Sequence, residues 1–312
     1  MSASAESVPH PWPPGVDATK LRRDESLARH TSMRVGGPAD LFCEVEDDHE
    51  LGAWIAWARA RGLSVFLIGG GTNLVVGDRG IRGLTLKLGR PFSAVDWQLD
   101  GDEARVVVGA AANFKRFVGD TLDRGFAGLE FAEGIPGTIG GGVIMNAGAF
   151  GGEIGEVVTA LHGVDEHGAP RRLGRDVLHF SYRHLDLPRG FVVTALEIVL
   201  RRGDPAKMAA RAADARRKRG RRQPVGHPNA GSIWKNPAGD FAGRLIDSLG
   251  LRGTRIGGAE ISPRHGNFIV NVDRAQAADV RALMDLTRDR VWQARGVWLQ
   301  AEVKLVGEWV PR

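Results

Sequence analysis

The chain has 312 residues, 43% of them hydrophobic and 25% charged, with a net charge of +5 and one cysteine. That is room for two domains and the composition of a globular protein, which excludes disordered and fibrous classes. A lone Cys43 excludes an internal disulfide and a cysteine metal cluster, and no metal site is expected. No apolar run reaches the length of a membrane span and no signal peptide is visible, so a cytoplasmic protein is expected.

Residues 1–28 are polar and proline-rich, and read as a loosely held leader. Gly36-Gly37-Pro38 marks a turn before a short strand at 41–45. Leu51, Trp54, Ile55 and Ala58 recur at helical spacing, and Gly62 stops that helix. A buried strand is expected at 64–68, with further strands at 84–88 and 106–109. Phe114, Phe117, Val118 and Leu122 give a second amphipathic helix. Strands follow at 157–164 and 191–200, with Phe180-Ser-Tyr-Arg183 between them. Composition turns rich in alanine and arginine at Met208–Arg222, which predicts an exposed helix and a domain boundary near Gly203. Beyond a loop at 224–239, Phe241, Leu245, Ile246 and Leu249 form one helix face, stopped by Gly250. A strand at 267–272, a long helix carrying Val280, Leu283, Met284, Thr287 and Val291, and a closing strand at 299–306 complete the chain. Helices and strands mix without a strict βαβ repeat, which predicts an α+β fold.

Glycine is the outlier, at 43 residues, about twice the usual share. Nine of the 22 residues from Gly134 to Gly155 are glycine, which argues against a helix or regular strand there because glycine loses the most backbone entropy on ordering. Apolar Ile135, Ile139, Val143, Ile144, Met145 and Phe150 make it no solvated linker either. A backbone without side chains can approach a large flat ligand; tight turns in a β-rich core are the plainer alternative. Gly69-Gly70-Gly71-Thr72-Asn73-Leu74 follows an apolar strand and can present consecutive N–H groups to a pyrophosphate. It is neither a Walker motif nor a dinucleotide fingerprint, and alone it reads as well as a turn.

Asn229-Ala-Gly-Ser232-Ile-Trp-Lys235-Asn236-Pro237 is no nucleophile elbow; its hydroxyl could donate a proton, and Lys235 and Asn236 could hold phosphate oxygens. Glu302 alternates with Gln300 and Lys304 opposite Leu299, Ala301, Val303 and Leu305, ordinarily a solvated strand face. Arg183 alone would be surface. Seven basic residues lie between Arg211 and Arg222, ordinarily a solvated helix face. No aromatic residue interleaves with them, which argues against nucleic-acid binding.

Taken together these segments resemble the UDP-N-acetylenolpyruvoylglucosamine reductase (MurB) family. The resemblance rests on His30-Thr-Ser-Met-Arg-Val-Gly-Gly-Pro-Ala, Gly69-Gly-Gly-Thr-Asn-Leu, Gly128-Leu-Glu-Phe-Ala-Glu-Gly-Ile-Pro-Gly-Thr-Ile-Gly-Gly and Phe180-Ser-Tyr-Arg. It continues through Gly231-Ser-Ile-Trp-Lys-Asn-Pro, Ala242-Gly-Arg-Leu-Ile-Asp, His265-Gly-Asn-Phe-Ile-Val-Asn and Leu299-Gln-Ala-Glu-Val. Any one is unspecific; the ordered set, over residues 29–307, is not.

The resemblance implies an FAD-binding domain of the vanillyl-alcohol-oxidase (PCMH) type at 29–203 and a smaller α+β substrate domain at 204–312. It implies non-covalent FAD, NADPH as electron donor, and reduction of the enolpyruvyl group of UDP-N-acetylglucosamine enolpyruvate in peptidoglycan precursor synthesis. Arg183, Ser232 and Glu302 fall on the family's catalytic arginine, serine proton donor and glutamate. Gly69, Gly70, Gly71, Thr72, Asn73, Leu74, Gly134, Ile135, Pro136, Gly137, Gly140, Gly141, Asn146, Ala147 and Gly148 are the expected flavin contacts. Tyr182, Lys235 and Asn236 are the expected substrate contacts. Trp234 and Gly266 depart mildly from the usual phenylalanine and alanine. The chain fits the subgroup lacking an extra tyrosine-bearing loop, its only tyrosine being Tyr182. A monomer without membrane or nucleic-acid partners is expected. The alternatives are a flavin oxidoreductase with a different substrate, and a basic nucleotide- or nucleic-acid-binding protein whose binding would weaken steeply with salt.

Overall fold

The structure, a computed structural model, describes residues 12–224 and 226–310. In chain order, strands β1 (Arg22–Ser26) and β2 (Pro38–Val45) precede helix α1 (Asp48–Ala60), and β3 (Val65–Ile68), β4 (Leu74–Val76) and β5 (Ile81–Leu88) follow it. Then come β6 (Val95–Asp100), β7 (Glu103–Gly109), α2 (Phe114–Asp123) and β8 (Phe126–Ala127). The glycine-rich stretch holds α3 (Ile139–Ile144), β9 (Gly148–Ala149) and β10 (Gly152–Glu153). β11 (Val158–Val164), β12 (Pro170–Gly174), the hairpin β13 (His179–Ser181) and β14 (His184–Asp186), and β15 (Val192–Arg202) lead to α4 (Pro205–Arg222). The remainder is α5 (Ala242–Ser248), β16 (Arg255–Ile256), β17 (Ala259–Ile261), β18 (Ile269–Asn271), α6 (Ala277–Arg295) and β19 (Lys304–Val306).

Two sheets form the larger body. One is mixed, in the order β1-β2-β5-β3, with β5 parallel to both its neighbours. The other is antiparallel, β12-β11-β15-β7-β6, with β8 appended to β15. Helix α1 contacts elements of both sheets, and Gly52 gives it access: a Cβ there would stand 2.3 Å from the carbonyl oxygen of Gly168. Trp54, Leu84, Val108, Phe114, Phe117 and Leu196, all fully buried or nearly so, join the two sheets and α1 and α2 in one core. Burying such side chains contributes about 1.5–3 kcal/mol each. The α+β expectation holds.

The closing part of the chain builds a second core from α5, α6, β17 and β18, and that core takes in Met33, Val35 and Val75 from far upstream. β19 pairs in parallel with β4, and the Asp78 carboxylate accepts hydrogen bonds from the N–H groups of Ala277 and Ala278 at the start of α6, both at 2.8 Å. Helix α4 packs the other way, against α2 and the turn at Glu130–Ala132. No helix among the described residues is long and apolar enough to cross a membrane.

Several expectations need correction. The leader expected at 1–28 falls partly on residues 1–11, which lie outside the described residues. From Trp12 onward it is integral: Trp12 packs 5.5 Å from Trp57 and 6.2 Å from Trp54, and β1 pairs with β2. The glycine-rich stretch does contain a helix. Thr138 caps it by accepting from the Gly141 N–H, and burial of Ile139 and Val143 offsets the cost of its glycines. Gly140 and Gly142 are required there because Cβ atoms would stand 2.7 Å from that of Ala110 and 2.8 Å from the Phe114 ring. Strand β3 is an edge strand, with Val65 exposed and Phe66 and Leu67 half-buried, not the buried strand expected. Phe241 precedes α5 and is exposed, although spacing put it on the apolar face. The closing strand shrinks to β19, because residues 301–303 pair instead with the Ile233–Trp234 segment.

Candidate active site

The two glycine loops face each other across one cleft. Gly69–Leu74 turns from β3 into β4; Ile135–Gly148 runs around α3. They come close enough that a Cβ on Gly70 would lie 2.9 Å from the Gly137 Cα. Gly71 has φ +61° and is packed on the upstream segment, where a Cβ would stand 2.0 Å from the His30 oxygen. Ser32 ties that loop to the next wall, its hydroxyl donating to the Asn229 carbonyl at 2.6 Å. The cleft holds about 870 Å³, the upper range for a small-molecule or cofactor site.

Arg183, Ser232 and Glu302 all line this cleft. Arg183 sits at the tip of the β13–β14 hairpin with φ 58°, a left-handed conformation that non-glycine residues adopt rarely and at some cost. Its Nε donates to Glu302 Oε1 at 2.9 Å. Glu302 is carried by an irregular segment whose amide donates to the Ile233 carbonyl at 2.8 Å, next to Ser232. Burial raises the Glu302 pKa above the ordinary glutamate value, outweighing the nearby Arg183 and Lys235 charges. A strand with a solvated face would have left it ordinary; instead Leu299 and Val303 are buried, Ala301 is exposed, and Glu302 faces the cleft.

Of the other residues singled out by sequence, Gly69, Gly70, Gly71, Thr72, Asn73, Leu74, Ile135, Pro136, Gly140, Gly141, Ala147 and Gly148 line the cleft. Gly134, Gly137, Asn146, Tyr182, Lys235 and Asn236 do not. Gly137 packs under the first loop, where a Cβ would meet Thr72 Oγ1 at 2.6 Å. Tyr182 is half exposed beside the Arg183 guanidinium, 5.3 Å from ring centre to Cζ. Asn236 accepts from the Ala242 N–H at the start of α5.

The sequence reading missed Arg219. It sits on the stripe Met208–Ala212–Ala215–Arg219, the buried face of α4 continued into the cleft. Its Nε is buried without a hydrogen-bond partner among the described residues, and burial and the neighbouring Arg183 charge pull its pKa down. A Cβ on Gly134 would approach its Cδ to 3.3 Å, so this glycine makes room for the side chain. The signal was present as helical spacing, hidden inside the basic run. Arg183 and Arg219, both lining the cleft with the Glu302 carboxylate, fit an anionic ligand. Glycine-bared backbone on both sides fits a planar cofactor with a pyrophosphate.

This scaffold and cleft define an FAD-dependent oxidoreductase: residues 39–174 match the family model described as FAD binding domain. The second match is narrower. Residues 223–306 match the model for UDP-N-acetylenolpyruvoylglucosamine reductase, C-terminal domain. The chain is 43% identical over 298 residues to UDP-N-acetylenolpyruvoylglucosamine reductase 2 of Symbiobacterium thermophilum, covering 95% of this chain and 96% of that one. It is 43% identical to the reductase of Geobacter metallireducens over 93% of this chain and 95% of the relative. The crystal structure of the Thermus caldophilus reductase (MurB) superposes with a TM-score of 0.79 at 35% identity, over 93% of this chain and all of that one. The chain belongs to the UDP-N-acetylenolpyruvoylglucosamine reductase family, and its cofactor is FAD.

Proposed function

We propose that this protein reduces the enolpyruvyl group of UDP-N-acetylglucosamine enolpyruvate to give UDP-N-acetylmuramate for peptidoglycan synthesis, with NADPH as electron source. The reading is of a monomer working in the cytoplasm, without nucleic-acid or membrane partners. The observation that supports it most is the Arg183–Glu302 pair on the same cleft wall as Ser232, facing two glycine loops suited to a flavin.

The Gly69–Leu74 and Ile135–Gly148 loops would hold FAD without a covalent bond, and FAD, when bound, would supply the hydride-transfer chemistry between NADPH and the enolpyruvyl group. The side chains handle the charge this creates. With Nε held by Glu302, Arg183 offers its terminal nitrogens to the substrate carboxylate, where negative charge builds as the hydride arrives. Arg219, with its unpartnered Nε, supplies a second cation to the phosphates or carboxylate of the bound groups. Ser232 delivers the proton to the neighbouring carbon, a task for which a hydroxyl needs a dry, polarised site. Glu302, its pKa raised, holds a proton nearer neutrality than a free glutamate does and backs the same step.

The test is the visible spectrum of the purified protein under anaerobic conditions. Flavin bands should bleach with NADPH and return on adding UDP-N-acetylglucosamine enolpyruvate. Bands that bleach and stay bleached would move the substrate to a different alcohol or sugar.

A further inference from the structure

We infer that Asn146 and Asn73, one in each glycine loop, are positioning residues that tie the flavin-lining loops to Arg183 and Glu302. Asn146 is almost fully buried, yet it does not line the cleft. Its Nδ2 donates to the Ser181 carbonyl at 3.0 Å and its Oδ1 accepts from the Gly155 N–H at 3.1 Å. A carbonyl can only accept and an amide N–H can only donate, so these partners fix the orientation of the amide. Ser181 ends β13, two residues before Arg183. The hairpin it belongs to has three-residue strands, too short to be stable alone, and its tip is held in the left-handed region. Such a tip persists only if something outside the hairpin fixes it, and Asn146 is bonded to that strand end. Asn146 has φ +39°, a conformation asparagine tolerates better than most residues. Glycine would satisfy the backbone but not the clamp; aspartate would keep the shape but lose the donor.

Asn73 does the equivalent for Glu302. Its Nδ2 donates to the Glu302 carbonyl at 3.1 Å, and its own carbonyl accepts from Lys304 N at 2.9 Å. The Glu302 backbone is therefore held on one side by Ile233 and on the other by the first glycine loop. Any shift of either loop on seating the flavin is passed to one of the two residues that meet the substrate.

The inference rests on the roles proposed above for Arg183 and Glu302, and the test separates the two. In the FAD-loaded enzyme, Asn146→Asp, whose side chain stays off the cleft lining, should keep flavin content, and NADPH should reduce the flavin within about threefold of the parent rate. Reoxidation by UDP-N-acetylglucosamine enolpyruvate should fall about 10- to 100-fold at neutral pH, the range expected for small misplacement of reacting groups. The variant-to-parent ratio should recover as pH falls, because the protonated acid regains the donor. Asn146→Gly should show the same loss with no recovery. Arg183→Lys, as reference, should impair reoxidation in the same way. Reoxidation near parental in Asn146→Asp, with Arg183→Lys impaired, would overturn the clamp and leave the arginine's role intact. If Arg183→Lys is also near parental, both fail. Loss of flavin from Asn146→Asp and Asn146→Gly alike would reduce Asn146 to a folding role and equally overturn the inference.

Discussion

Arg183 and Glu302 are 119 positions apart and meet at 2.9 Å in a half-buried pair. Replacing Arg183 by lysine keeps the charge and loses the planar fork. The expected result is a fall of about 100-fold or more in kcat/KM for the enolpyruvyl substrate, the scale of losing one well-placed donor to developing charge. Steady-state kinetics with both substrates varied will check it. Ser232→Ala should abolish substrate reduction while NADPH still bleaches the flavin. Glu302 has a definite sign. Its folded pKa is raised, so the stability it contributes is full below the unfolded value of about 4.3 and is lost as pH rises through the folded value. Glu302→Gln should therefore melt above the parent at pH 8, with the gap closing towards pH 4 in calorimetric scans. If Glu302 backs proton delivery as an acid, parental turnover should fall over the same rising limb and the Gln variant's should stay flat.

At the scale of elements, α3 separates what glycine does for the fold from what it does for the ligand. Gly140→Ala gains helix propensity of about 1 kcal/mol but drives a methyl into Ala110, so net destabilisation of about 1–3 kcal/mol is expected in urea melts. Gly141 is exposed on the cleft, and a methyl there would meet only Thr138 Oγ1 at 3.4 Å. Gly141→Ala, with the same propensity gain and no clash, should stabilise the apoprotein by up to about 1 kcal/mol and weaken FAD binding, measured by flavin fluorescence titration. The same helix shows where sequence reading succeeds and stops. The periodic helices α1, α2 and α6 are legible because one face of each is buried and the spacing records it, and α4 is legible from its alanine- and arginine-rich composition. α3 is not, because its entropy cost is offset by contacts with Ala110 and Phe114 that no local window contains. Arg183, Ser232 and Glu302 could be grouped from the family resemblance, but their own surroundings in sequence read as surface, turn and strand. Glu302 lost its strand for a tertiary reason, the pairing of its segment with Ile233 and Trp234.

For the molecule as a whole, the second core depends on Met33, Val35 and Val75, and α6 depends on Asp78 for its first two free N–H groups. Asp78→Ala should cost about 1 kcal/mol, the usual effect of losing a helix cap, in equilibrium unfolding. A fragment covering 204–312 should fail to unfold cooperatively by calorimetry, since part of its interior is left behind. The parallel pairing of β4 with β19 also orders events in time. Lys304, Leu305 and Val306 line the cleft, alongside a loop laid down some 230 positions earlier. During synthesis the first glycine loop emerges long before the strand that encloses it. A growing chain that has not yet exposed residues 304–306 therefore has its cleft open along that side, however early the glycine loops were made.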